Sequence, residues 1–199
     1  MDLQAAIQQL AQANQENQTQ SPSSADQSLT QNLNVEIDVN HADCLNQSDQ
    51  HTIQHMLQNS NSNSNSENND TSLYLESHAD EQLLMFIPFV NKVNIRSIAV
   101  WAPETEQCPQ TIKLYVNRSS MDFDDVDHAK PTEIIQLTSE QDGAQGKVHA
   151  LKFINFRNVV SLGLFVADNH GGETTVIQRI RLVGSIITDR SSEKLQKIE

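Results

Sequence analysis

The sequence predicts an all-β domain built as a jelly-roll β-sandwich of two antiparallel sheets. Two observations lead there. Beyond residue 58 short apolar runs recur between turn residues, with little helical periodicity, which is the spacing of a sandwich or barrel. Several runs are apolar on both faces, so a two-layer jelly roll with a thick core fits them better than a barrel.

The elements follow in order. Residues 1–32 are rich in Gln, Asn and Ser and read as a disordered tail. Leu3, Ile7 and Leu10 have helical spacing there, enough for a weak helical turn. The sandwich is expected over 33–188. Leu33, Val35, Ile37 and Val39 alternate with Asn34, Glu36 and Asp38, the period of a half-buried strand. Ser48 is placed to cap a short helix that buries Ile53, Met56 and Leu57. Residues 59–70, all polar and mostly Asn and Ser, read as a loop insertion that cannot pack. Strands are then expected at Leu83–Ile87, ended by Pro88, and at Val93–Trp101, closed by Pro103. Further strands are expected at Ile112–Val116, Glu133–Leu137, Val148–Ile154, Val159–Val166 and Val176–Val183, the last stopped by Gly184. Residues 189–199 read as a C-terminal tail.

The 199 residues carry 13 Lys+Arg against 26 Asp+Glu, a net charge of −13. This opposes contact with nucleic acid or anionic lipid, which depends on neutralising phosphate. It suits a basic or mixed-charge protein partner. No run approaches the roughly 20 apolar residues of a membrane span. The start, Met1-Asp2-Leu3-Gln4, has neither the basic nor the apolar region of a secretory signal. Cys44 and Cys108 are far apart and form no C-x-x-C, which points to free thiols in a reducing compartment.

Catalytic and metal patterns are weak. There is no G-x-S-x-G, no H-E-x-x-H and no Gly-rich phosphate loop among only six glycines. His149 and His170 have no assignable nucleophile or orienting carboxylate. The run Asp122–Asp127 with Glu133 resembles a Ca²⁺ loop, but Asp127 stands where the turn needs Gly and Val126 offers no side-chain oxygen. Cys44, His51 and His55, with His41 or His78, lack the paired spacing of a zinc site. The reading is a non-enzyme without metal or cofactor. Ser77–Gln82, just before a core strand, reads as a turn whose side chains bond the backbone.

Tyr74-Leu75-Glu76-Ser77-His78-Ala79-Asp80-Glu81-Gln82-Leu83-Leu84, followed by Ile87-Pro88-Phe89, resembles the signature of the PITH domain, a proteasome-interacting domain of thioredoxin-like proteins. Cys44-Leu45-Asn46 and His51 match the segment before it. Ser120–Asp125, Pro131-Thr132 and Leu137-Thr138 match its middle. Leu151-Lys152-Phe153, Asn158-Val159, Phe165-Val166, Asn169, Gly171, Thr174-Thr175 and Gly184 match its end. His78 departs from the acidic residue usual there. Without a C-x-x-C or an upstream thioredoxin segment, the chain resembles the stand-alone type, and redox activity is not carried over.

The resemblance implies a galactose-binding-like sandwich in a cytoplasmic and nuclear protein that docks on the proteasome regulatory particle as a non-catalytic adaptor or regulator. The candidate partner-binding residues are Asp80, Glu81, Gln82, Phe89, Asp122, Asp124 and Asp125, because charged loops set orientation and on-rate while an apolar residue anchors. Two other functions stand beside this one. One is a lectin-like module binding a glycan or small ligand at the sandwich loops, although the single Trp101 ends an apolar run and is expected half buried. The other is a regulator of gene expression acting through protein partners.

Overall fold

The computed structural model describes residues 30–61 and 72–187, and a single long strand organises them. The expected N- and C-terminal tails and most of the Asn/Ser-rich loop lie outside these residues. The long strand is β4, Leu83–Trp101. Its first half pairs with β2 (Asp43–Leu45) on one side and β8 (Val159–Asn169) on the other. Beyond β8 come β5 (Pro109–Val116) and β6 (Glu133–Gln136), which complete a front sheet. The second half of β4 pairs with β10 (Arg179–Ile186) and β7 (Val148–Ala150). With β1 (Gln31–Asn32) on β10, these make the back sheet. All pairs are antiparallel. The molecule is therefore the expected jelly-roll sandwich, with one strand that changes sheets.

The change of sheets occurs where a stop was expected. Pro88 does not end a strand. The β4–β8 register shifts between Pro88 and Val93, so the proline sits at an irregularity, where its missing N–H costs no ladder bond. The carbonyl of Pro88 accepts from Asp38 N–H at 2.9 Å.

The inner faces of both sheets form one core. Leu83, Met85, Ile87, Ile112, Leu114, Leu162, Leu164 and Val166 from the front meet Ile98, Val100, Ile180 and Leu182 from the back. Each such side chain, fully buried, stabilises by about 1.5–3 kcal/mol. The outer face of the front sheet is also covered. Leu84, Tyr115 and Phe165 pack under Val126 of helix α2 (Phe123–His128), and the Tyr115 hydroxyl donates to the Val126 carbonyl. That second layer explains why β8 is apolar at consecutive positions.

The predicted helix is present as α1, Ile53–Asn61, and buries Ile53, Met56 and Leu57 completely. Its entry differs from expectation. Ile53 N–H is met by Gln47 Oε1 at 2.8 Å, while Ser48 Oγ accepts from Gln50 N–H.

Two expectations are corrected. Leu33–Val39 is not a strand. Asn34–Glu36 form a 3₁₀ turn, Ile37 makes an isolated bridge to Phe89, and Val35 is 66% exposed. The turn swings Asn34 inward, fully buried. Its amide donates to the Ile180 carbonyl at 2.7 Å and accepts from Leu182 N–H at 2.8 Å. A single side chain thus does for the edge of β10 what a pairing strand would have done. The Asn/Ser loop, expected to begin at residue 59, begins later. Asn59 and Ser60 belong to α1 and are buried. Asn59 donates to the Leu73 and Gln178 carbonyls, and Ser60 Oγ accepts from Ile180 N–H at 3.0 Å. Polarity alone predicts solvent-facing positions, but here these residues satisfy a buried strand edge.

Candidate functional site

Loops from β2, β3 (Leu75–Glu76), β4, β8 and β9 (Val176–Ile177) meet at one end of the sandwich. Asn46 is their hub. It sits at φ 64°, a left-handed conformation that Asn tolerates better than most residues. Its side-chain amide donates to Asp80 Oδ1 and to the Gln82 carbonyl, both at 2.7 Å. Its Oδ1 accepts from Ala79 N–H, and its carbonyl accepts from His78 N–H. The segment His78–Gln82 is thereby wrapped around one residue. A second hub lies beneath. Thr175 N–H donates to Ser77 Oγ at 2.8 Å, Thr175 Oγ1 donates to the Glu81 carbonyl at 2.7 Å, and Asn169 donates to the Gly172 and Thr174 carbonyls. The reading of Ser77–Gln82 as a side-chain-bonded turn describes this geometry.

The candidate residues separate into distinct roles. Asp80 is exposed, but Oδ1 is held by Asn46 and by Gln82 N–H. Gln82 is half buried and reaches the Ala167 carbonyl at 3.5 Å. Glu81 uses its carbonyl internally, and its carboxylate has no partner among the described residues. Phe89 is corrected: it is 8% exposed and belongs to the main core, so it cannot act as a surface anchor. Asp122 and Asp125 form a capping box for α2. Asp125 N–H donates to Asp122 Oδ1 at 2.8 Å, and Asp122 N–H donates to Asp125 Oδ2 at 3.1 Å. Among the described residues the carboxylates of Asp124 and Asp127, both exposed, have no partner. Asp127 is named from the sequence only for the failed Ca²⁺ loop and not as a partner-binding candidate, though it follows Asp125 by two positions.

A groove of about 150 Å³ lies between β2 and the segment 118–121. Leu45 and Asp43 line one side, Arg118 and Met121 the other, and Phe86 and Gly163 the floor. Leu45 adjoins the Asn46 hub, and Met121 adjoins Asp122. None of Asp80, Glu81, Gln82, Asp122, Asp124 or Asp125 lines the groove itself.

The thiols take no part in surface chemistry. Cys44 is 5% exposed and Cys108 is fully buried. Burial, with Asp43 beside it, drives the Cys44 thiol far above its usual range, and burial pushes the Cys108 thiol up to about 11. A thiol-selective reagent at pH 8 is expected to leave both unlabelled in the native protein and to label both in denaturant. Native labelling of Cys44 at the denatured rate would mean that the wall of the groove opens. Among the described residues no three His, Cys, Asp or Glu side chains gather as a metal-binding group.

The family model of the PITH domain matches residues 23–199. The chain belongs to the PITH domain family. This PITH chain is 38% identical over 162 residues to "Thioredoxin-like protein 1" of Schizosaccharomyces pombe. The match covers 79% of the chain and 52% of that protein, so the chain spans about half the length of this relative. It is 30% identical to "PITH domain-containing protein 1" of Homo sapiens, over 78% of the chain and 70% of that protein. Among solved structures, a family 32 CBM from C. perfringens NanJ in complex with galactose superposes with a TM-score of 0.53 at 8% identity. That match covers 78% of the PITH chain and 99% of the module, and it shows the galactose-binding-like jelly-roll fold.

Proposed function

We propose that this PITH domain is a non-catalytic protein-binding module that docks on the regulatory particle of the proteasome, in the cytoplasm and nucleus. Family membership supports a protein-interacting role, and the signature resemblance names the partner. The observation that carries the reading is a set of carboxylates that have no partner among the described residues. Glu81 stands next to the loop held by Asn46, and Asp124 and Asp127 stand on α2. Carboxylates without internal partners favour a basic or mixed-charge surface opposite. Two buried free thiols suit a reducing compartment.

The glycan reading finds less support in the aromatic residues. Tyr74 stacks on His51 with ring centroids 3.8 Å apart, and Trp101 lies under the Arg179 guanidinium. Each ring thus has a face already covered, which leaves less open aromatic surface for a sugar to stack on.

The test is surface plasmon resonance against purified regulatory particle at two salt concentrations. Association is expected to slow as salt rises, because exposed charges are screened beyond roughly 8–10 Å at physiological ionic strength. The variant Glu81→Gln, Asp124→Asn, Asp127→Asn should lose about three- to tenfold in on-rate and keep its melting temperature. Asp122 and Asp125 are left intact because they cap a helix. Absence of binding at low salt would overturn the proposal.

A further inference from the structure

The outer face of the back sheet carries paired positive charge in an acidic chain. Arg179 and Arg181 alternate along β10, so both project to the face of Trp101 and Ala99, their partners across β4. The Arg179 guanidinium carbon lies 3.9 Å from the centroid of the Trp101 ring, and that of Arg181 lies 5.8 Å away. Gly146 backs the same indole. A Cβ at that glycine, which has φ +60°, would overlap the ring. Groups this close cannot share one face of the ring, so Trp101 is clamped between Gly146 and Arg179.

Among the described residues the arginines have no counter-charge, and neither is ion-paired. Burial and the neighbouring Arg181 hold the Arg179 guanidinium below its usual value, and no carboxylate offsets them. Two like charges are therefore fixed side by side on a rigid aromatic base, an arrangement that an incoming anion stabilises.

We propose that this face docks an acidic, extended segment of a protein partner. The spacing carries the choice. Alternate residues of a strand lie about 6.7 Å apart on one face. Carboxylates at alternate positions of an extended segment repeat at the same distance, so each can meet one planar guanidinium in a forked pair. Val148, 67% exposed, pairs with Ala99 and adds an apolar neighbour on the same face. Nucleic acid is the poorer match, since two cations neutralise too few phosphates and the net charge of −13 repels a polyanion. The face lies on the opposite side of the sandwich from the groove, so the surface stands independently of the proteasome reading.

Trp101 is the chain's only tryptophan and reports directly on the site. The probe is the capped peptide Ser-Glu-Val-Glu-Ser, with Ser-Gln-Val-Gln-Ser as control, titrated against the full chain at low salt. A saturable change in Trp101 emission is expected with the Glu peptide, with a dissociation constant of about a millimolar, and none with the Gln peptide. Arg179→Gln, Arg181→Gln should weaken binding at least ~tenfold. If that variant fails to fold, Arg179→Lys, Arg181→Lys keeps the charge without the fork and should bind several-fold more weakly. The Glu81→Gln, Asp124→Asn, Asp127→Asn variant should bind the peptide as wild type does. Equal responses to the two peptides would overturn the proposal. So would an equal response to inorganic phosphate at matched ionic strength, or unchanged affinity in a folded arginine variant.

Discussion

Replacing Asn34 with Ala is expected to destabilise the domain by about 2–4 kcal/mol. The substitution leaves the Ile180 carbonyl and the Leu182 N–H buried without the partner each now has, at about 1–3 kcal/mol for each unmade bond. For a domain of this size that corresponds to a fall of roughly 5–15 °C in melting temperature. Asn34→Asp should be no gentler. It keeps an acceptor for Leu182 N–H, loses the donor to Ile180, and buries a charge. Thermal unfolding monitored by circular dichroism checks both. A shift below about 2 °C for Asn34→Ala would mean that water or a neighbouring side chain takes over the edge of β10.

Gly184→Ala is expected to cost at least about 3 kcal/mol, or to prevent folding, which is at or above the usual range for overpacking. The register of β10 on β4 shifts between Val183 and Gly184, and a Cβ there would overlap the Asn94 carbonyl oxygen and stand 2.9 Å from Leu33 Cδ1. The first of these is backbone of the paired strand and cannot rotate away. Gly163→Ala is the matched control. Its Cβ would meet Met121 Sδ and Tyr115 Cβ at 3.4 Å, which is ordinary contact, so a change within about 1 kcal/mol is expected. Denaturant unfolding of the two variants side by side separates a steric effect from a general intolerance of side chains at strand glycines. Similar losses in both would refute the steric account.

Much of the architecture is legible because burial imposes a pattern on neighbouring residues. Ile112, Leu114 and the apolar run at Val159 point to strands by their spacing alone, and Ile53, Met56 and Leu57 mark a helix face. What escapes is pairing between distant residues. Asn34 alternates correctly for an outward position, yet its partners lie 146 and 148 residues away on β10. Asn59 and Ser60 open a stretch of monotonous polarity, and only the edge of β10 distinguishes them from the residues that follow. Pro88 reads as a stop because periodicity cannot reveal a strand that leaves one sheet for another. At the candidate site, the run Asp122–Asp125 signals an acidic loop, but not that two of its carboxylates are spent on a helix cap. Phe89 looks like an anchor beside the signature, and its burial follows from the bridge to Ile37.

The closing position of β10 bears on how the chain acquires its shape during synthesis. β10 supplies the partner of β1 and of the second half of β4, and it receives the side chains of Asn34 and Ser60. Until the segment to Ile186 has left the ribosome, the back sheet has β4 and β7 but neither of its other two strands. At ~5–20 residues per second, the 85 residues that separate Trp101 from Ile186 keep the completed second half of β4 waiting for several seconds, with one strand edge open. The nascent domain is then a client for chaperones over that interval, and truncation before β10 should send it to degradation rather than leave a shortened binding module.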